Sequence, residues 1–397
     1  MDGGRMDVVV AGAGVAGLET ALALNAIAPR HVAVELIAPE TDFTYRPLSV
    51  AEPFGIGHVH RCPVEDLVHA AGARFRRGAL SGVDAARSRV TLKDGEVRAY
   101  DSLVLALGAQ ARESVPGAVT FHGTDHEPEF VRLLERAASG GLRQLAFAVP
   151  AAVTWPFPLY ELALLTATYL DVHGNGDVEL VLVTPEARPL ALFGPAASAA
   201  VEKLLADARV RIDTASVPQA WEGGTLRLAG QEAIPADAVV TLPKLEGPAL
   251  TGVPQGPDGF VETDEFGRIR GLESVYAAGD LVQLPVKQGG IASQQADAVA
   301  STIAATAGAA VKPEPFHPVL RGLLLTGFAQ GFLRAERGAS LVDPHPLWWP
   351  PTKIVGRYLS PFLAKHFGIE TIEEPPAEGV AVEIVLETRD RATWSPV

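Results

Sequence analysis

Residues Val8–Glu19, VVVAGAGVAGLE, carry the reading on which the rest of the chain depends. Val8 to Ala11 is an apolar run of the kind a buried parallel strand requires, and Leu18 to Ile27 continues at helical period. Between them Gly12, Gly14 and Gly17 stand at G-x-G-x-x-G spacing. Gly12 permits the tight turn, Gly14 lets a pyrophosphate approach the backbone, and Gly17 lets the helix pack closely on its strand. The unpaired N–H groups at the helix start then favour phosphate. Strand, turn and helix together read as a dinucleotide site, for NAD or for FAD.

The length of 397 residues implies two to three domains with a substantial core. A formal net charge of −14 argues against nucleic acid as a partner, since phosphate binding needs clustered Lys and Arg, and favours small molecules. Cys62 is the single cysteine, which excludes an intramolecular disulfide and any multi-cysteine metal or iron–sulfur site. No metal site is expected. With neither a signal peptide nor an uninterrupted apolar span of bilayer length, the expected location is the cytoplasm or the inner face of the cell membrane, peripherally bound.

His31 to Ala38 reads as the second parallel strand. An acidic residue at its end would bind a ribose hydroxyl; Glu40 is the nearest candidate, with a solvated loop carboxylate as the alternative. The loop Phe43 to Pro53, with Arg46 and Pro47, suits either covering a ring or capping the sheet. Tyr100 to Gly108 is an apolar strand, and its terminal Gly108 allows backbone to approach a ligand. A second α/β unit follows, with a strand from Leu145, a helix Leu159 to Leu170 and a strand Glu179 to Thr184. LIAPET, residues 36–41, returns there as LVTPEA, residues 182–187, so the chain carries two copies of a mononucleotide-binding unit. The second copy lacks the glycines: Pro150, Ala151 and Ala152 occupy its turn, where proline has no N–H and alanine crowds a phosphate.

Further along, Ser274 to Asp280 is a short apolar strand closing on Gly279-Asp280, and a helix spans Ala292 to Ala305. Phe316 to Arg334 reads as sheet. Past Pro344 come Trp348 and Trp349, then an amphipathic helix within Lys353 to Phe367 that Pro361 should end or kink after about two turns. Its apolar stripe suits a bilayer surface, a dimer contact or burial on the first domain, with Lys353, Arg357 and Lys365 on other faces.

The GAGVAG start, the LALGA strand and the VYAAGD strand, in this order and separation, resemble the flavoproteins of the pyridine nucleotide–disulfide oxidoreductase superfamily. The Tyr45-Arg-Pro-Leu48 loop, Pro156-Phe-Pro-Leu-Tyr-Glu161, the turn Pro285-Val-Lys-Gln288 and the aromatic C-terminal segment narrow the likeness. It is strongest to the branch of sulfide:quinone oxidoreductases, flavocytochrome c sulfide dehydrogenases and type II NADH:quinone oxidoreductases. The resemblance implies that Gly12, Gly14 and Gly17 hold the FAD pyrophosphate, with Glu40, Arg46, Pro47, Gly108 and Gly279 also at the cofactor. Asp280 would bond the ribityl or pyrophosphate region; the alternative is an N-cap for the next helix. Lys287 would stabilise the reduced ring, unless it is a surface lysine, and Glu161 would relay protons to a reduced acceptor, unless it serves only its helix.

Two departures follow. Trp155 stands where sulfide-oxidising relatives place a redox cysteine, so sulfide chemistry through a cysteine pair is excluded within one chain. The degenerate turn at Pro150 makes NAD(P)H doubtful. The expected fold is α/β: an FAD domain (residues 1–112 and 245–310), a second Rossmann-like domain (113–244) and a small α+β cap (311–397). The expected function is two-electron transfer through non-covalent FAD to a quinone or other acceptor, without cysteine chemistry. The alternatives are an NAD(P)H:acceptor reductase and a non-catalytic flavin-binding partner subunit; a homodimer is compatible with each.

Overall fold

The computed structural model describes residues 4–123, 127–151, 153–327, 330–336, 339–343 and 353–367. Trp348, Trp349, Ala152 and the acidic tail lie outside the described residues.

A five-stranded sheet forms around Met6–Ala11, which pairs in parallel with Val32–Ala38 on one side and Ser102–Leu105 on the other. Arg74–Arg77 and Val275–Ala277 complete it, also parallel, so the last strand arrives from a segment 170 residues beyond its neighbour's end. Val8, Val9, Val10 and Ala11 are all buried, as a strand covered on both faces demands. Helix α1 (Val15–Ile27) covers one face, with the short α2 (Val64–Ala70) beside it.

The second unit repeats the plan. After α3 (Pro128–Ala138), the strand Gln144–Ala148 pairs in parallel with Glu179–Val183 and Ala238–Thr241, the latter two flanked by Val210–Asp213 and Val119–Thr120. Helices α4 (Phe157–Val172) and α5 (Pro195–Asp207) belong to this unit, and α6 (Gly289–Thr306) returns to lie against α1 in the first. The fold is therefore α/β with two Rossmann-like units, in register with the internal repeat: residues 36–41 and 182–187 each straddle the end of the strand beside the central one.

The cap is an antiparallel sheet of Leu320–Leu325, Gln330–Glu336 and Ala339–Asp343, followed by α7 (Leu359–His366). Leu324 and Leu333 are buried in the core of the second unit, whereas Ile354, Leu359 and Leu363 are buried in that of the first. The cap thus straddles both.

Two expectations for this region need correction. Pro361 does not end a helix begun at Lys353: it sits in the first turn of α7, where its missing N–H costs no intrahelical bond. Nor does Lys353 stand on another face of that helix, since it precedes the helix in an irregular segment and is buried. The apolar stripe of α7 packs on the first unit, so among the three roles open to it the core takes the described part. No described helix is long and apolar enough to cross a membrane.

Candidate functional site

The loop after the first strand is shaped by its glycines. Gly12 has φ +110°, and a Cβ there would overlap Ala106 O of the neighbouring strand end. At Gly17 a Cβ would overlap Gly12 O, so only glycine lets α1 lie this close to the turn. Gly14 differs: no atom lies within 4 Å of where its Cβ would be. Gly108, on the facing strand end, is equally open. Gly14 is the N-cap of α1, with no side-chain cap and no acidic residue in the first turn, which leaves the positive end of that helix available to an anion.

Gly12, Gly14 and Gly108 line a cavity of about 380 Å³ that also includes Glu40, Arg46, Pro47, Gly279 and Asp280, while Gly17 packs beneath the turn. A second cavity of about 280 Å³ adjoins it, bounded by Trp155, Phe157, Glu161, Lys287, Arg321 and Lys353 among others. Arg46, Pro47, Asp280, Gly289 and Ile354 line both, so the two meet at these residues. An extended dinucleotide fits this shape: the backbone opening at Gly14 and the helix end suit its pyrophosphate, and the junction leads to the chamber where a ring would sit. FAD is compatible with the residues present.

Asp280 lies in a one-turn 3-10 segment, Gly279–Leu281, and does not cap the next helix; Gln288 does, accepting from Ile291 N at 2.9 Å. Burial raises the Asp280 pKa, and the Lys287 and Arg46 charges oppose that rise. Lys287 is not a surface lysine, being 5% exposed. Its Nζ donates to Val282 O and lies 3.7 Å from the centre of the Phe260 ring. Burial lowers its pKa to about 8, against the pull of Asp280. Glu40 is exposed on the rim of the larger cavity.

Glu161 sits in the second turn of α4 and is paired: Lys353 Nζ donates to its Oε1 at 2.5 Å, and Leu325 N at 2.9 Å. The two side chains keep 2% and 7% of their surface. Burial raises the Glu161 pKa and lowers that of Lys353, while each charge holds the other ionised. A buried pair pushed toward neutrality from both ends can carry its proton on either partner. Trp155, beside it, stacks on Phe157 at 5.0 Å and 9° and contacts Phe193 at an angle, forming an apolar wall.

The second unit's counterpart of this apparatus is differently arranged. The stretch between its central strand and α4 runs from Val149 to Pro156, in place of a three-residue turn. Glu186 is the repeat's equivalent of Glu40, but its carboxylate is bound internally. Oε2 accepts from Tyr160 Oη at 2.7 Å and from Thr184 Oγ1 at 3.0 Å, and Oε1 accepts from Ala191 N at 3.2 Å.

Sequence reading passed over Lys353, Glu186 and a carboxyl pair, Glu19 and Asp297. The available signal was a lone acid in an apolar helical run, Leu18-Glu-Thr-Ala-Leu-Ala-Leu24 for Glu19 and Gln-Ala-Asp-Ala-Val-Ala300 for Asp297. Cys62 is buried in the Asp42–Thr44/Arg61–Pro63 hairpin and lines neither cavity. Burial, with Asp42 and Asp66 nearby, pushes its thiol up.

Comparison with known proteins agrees with this architecture. A curated relative, the alternative NAD(P)H-ubiquinone oxidoreductase C1, chloroplastic/mitochondrial, of Arabidopsis thaliana, is 26% identical over 331 residues. The match covers 73% of this chain and 64% of the plant protein, somewhat under two thirds of its length. The sulfide:quinone oxidoreductase of Aquifex aeolicus superposes with a TM-score of 0.78 at 19% identity, covering 94% of this chain and 99% of that one. NDH2 of Plasmodium falciparum, solved in complex with NADH, gives a TM-score of 0.65 at 12% identity, covering 92% and 94%. The model of the pyridine nucleotide-disulphide oxidoreductase family matches residues 6–145 and 161–302. The chain belongs to that family.

Proposed function

We propose that this enzyme passes two electrons through FAD between a small donor and a quinone or comparable acceptor, without a cysteine pair and without NAD(P)H on its second unit. FAD would lie along the larger cavity, its pyrophosphate at Gly14 and α1, and its ring at the junction near Asp280 and Lys287. The domain limits proposed with it are those read from the sequence.

The observation that carries the reading is Glu186. A nicotinamide dinucleotide on a Rossmann unit needs a tight glycine turn for its phosphates and a free carboxylate for its ribose. Here the turn is replaced by a proline-bearing loop, and the carboxylate is held by Tyr160, Thr184 and Ala191 N. Freeing Glu186 would strand the buried Tyr160 hydroxyl, at about 1–3 kcal/mol. Cys62, outside both cavities, offers no thiol to a substrate. The chamber beside the proposed ring position is apolar at Trp155 and Phe157 and carries one proton-bearing pair, Glu161–Lys353, which suits a flat molecule gaining or losing electrons together with protons.

Bound FAD supplies the two-electron capacity. Lys287 provides positive charge beside it, and Glu161–Lys353 holds a proton within the chamber. The Arabidopsis relative motivates the rival reading, an NAD(P)H:acceptor reductase. Anaerobic mixing of the purified flavoprotein with NADH, NADPH or sulfide should leave the flavin absorbance unchanged over seconds. Rapid bleaching by either nucleotide would establish the rival, and rapid bleaching by sulfide would refute the absence of sulfide chemistry. A chemically reduced flavin that neither quinones nor dyes reoxidise would mark a non-catalytic subunit.

A further inference from the structure

The segment from Lys353 to Tyr358 crosses between the units as a strap. Lys353 reaches Glu161 on α4, and Ile354 N donates to Tyr45 Oη at 3.0 Å in the loop that carries Arg46. Gly356 N donates to Ser360 Oγ, which in turn donates to Ile354 O, both at 2.7 Å. Its far end is tied to α1. Tyr358, the N-cap of α7, makes no side-chain cap, and Glu19 takes that role: Oε1 accepts from Tyr358 N at 2.9 Å and Oε2 from Leu359 N at 2.7 Å. Glu19 is fully buried. Asp297, on the adjoining α6, is hydrogen-bonded to it, and its Oδ1 is buried with no partner.

We propose that Glu19 and Asp297 form a proton-held latch that positions the strap over the flavin cavity, closed while the pair carries one proton and released when the second carboxyl ionises. A fully buried carboxyl and a half-buried one paired between α1 and α6 cannot both be charged without repulsion, so one carries the proton and donates to the other. Asp297 donating and Glu19 accepting fits the strap contacts, because both Glu19 oxygens already accept from the strap. The charged and titratable groups facing the pair are few. Arg357 and Tyr358 face it from the strap, and Glu314 from the segment after α6; Arg357 and Glu314 lie 4.0 Å apart. Burial, followed by the Glu19 charge, pushes the Asp297 pKa up to about 8, with Arg357 opposing, and burial also raises that of Glu19.

The sign follows. A carboxyl at about 3.9 in the open strap and raised in the closed one favours closure at low pH. That advantage is lost as pH rises through the folded value, by at most about tenfold for each pH unit. Glu19 and Asp297 touch neither cavity, so both are positioning residues, acting through Lys353 and Ile354.

The test uses the full-length holoprotein with two readouts: hydrogen-exchange protection of the Tyr358 and Leu359 amides, corrected for intrinsic rates, and release of FAD followed by its fluorescence. In the wild type, protection should fall at least about tenfold from pH 6 to pH 8, and FAD release should quicken in parallel. Asp297→Asn, which still donates to Glu19, should stay closed at both pH values. Glu19→Gln, which turns an N–H₂ toward strap amides, should be open at both. Wild-type protection independent of pH, or an Asp297→Asn profile that copies the wild type, overturns the latch. The flavin readout rests on the FAD placement proposed above and the amide readout does not, so FAD release that ignores an opened strap leaves the latch supported and overturns that placement.

Discussion

Glu161→Ala is expected to lower stability by about 3–5 kcal/mol, because it leaves the Lys353 ammonium buried with no carboxylate. Lys353→Met should be milder, since Glu161 can take up a proton and still accept from Leu325 N. The double replacement Glu161→Leu with Lys353→Met removes both charges, and stability should recover to within about 1 kcal/mol of the wild type or exceed it. Denaturation midpoints measure this. Turnover separates structure from chemistry: if the pair supplies the proton, the double variant regains stability while catalysis stays at least about tenfold down, within the usual range for a lost acid–base group. A stable double variant with full turnover would remove the proton role and leave Glu161–Lys353 as a fastening alone.

The fingerprint glycines should separate just as clearly. Gly17→Ala pushes a methyl into the backbone oxygen of Gly12, which nothing flexible can relieve. The cost lies at the upper end of overpacking, about 3 kcal/mol, and should appear as lost stability with or without flavin. Gly14→Ala meets open space and has φ −77°, which alanine adopts freely. Apart from a weaker N-cap, about 1 kcal/mol at most, the flavin-free protein should be unaffected, whereas FAD affinity should fall about tenfold to a hundredfold as the methyl occupies the pyrophosphate approach. Equilibrium unfolding of the flavin-free forms, paired with FAD titration, reads both. If Gly14→Ala binds FAD like the wild type, the pyrophosphate does not lie there.

Much of the fold was legible because its signals are local. The run Val8 to Ala11, the turn glycines and the LIAPET repeat are each set by a few adjacent residues, and the helix read over Leu159 to Leu170 lies within α4. Apolar runs overstated strand length: Tyr100 to Gly108 contributes only Ser102–Leu105, because backbone pairing stops where the chain turns over the cavity although Ala106 is still buried. Charged residues were the least legible. Lys353, 192 positions from Glu161, shows nothing in its neighbourhood of sequence to mark it as buried. Glu186 has the sequence context of a ribose-binding acid, yet Tyr160 and Thr184, brought to it by α4 and its own strand, engage it otherwise. Partner choice across the fold is not encoded in spacing.

The strap also sets an order of assembly. Glu19 leaves the ribosome 339 residues ahead of Tyr358 and 340 ahead of Leu359, the two residues whose amides it holds. The first unit's sheet is itself incomplete until Val275–Ala277 has been made. Synthesis therefore completes the second unit's sheet while the first is still open at both its sheet edge and its roof, and cofactor capture becomes a late event, after residue 359. Nascent chains stalled before that point should release FAD readily, and chains stalled well beyond it should retain it.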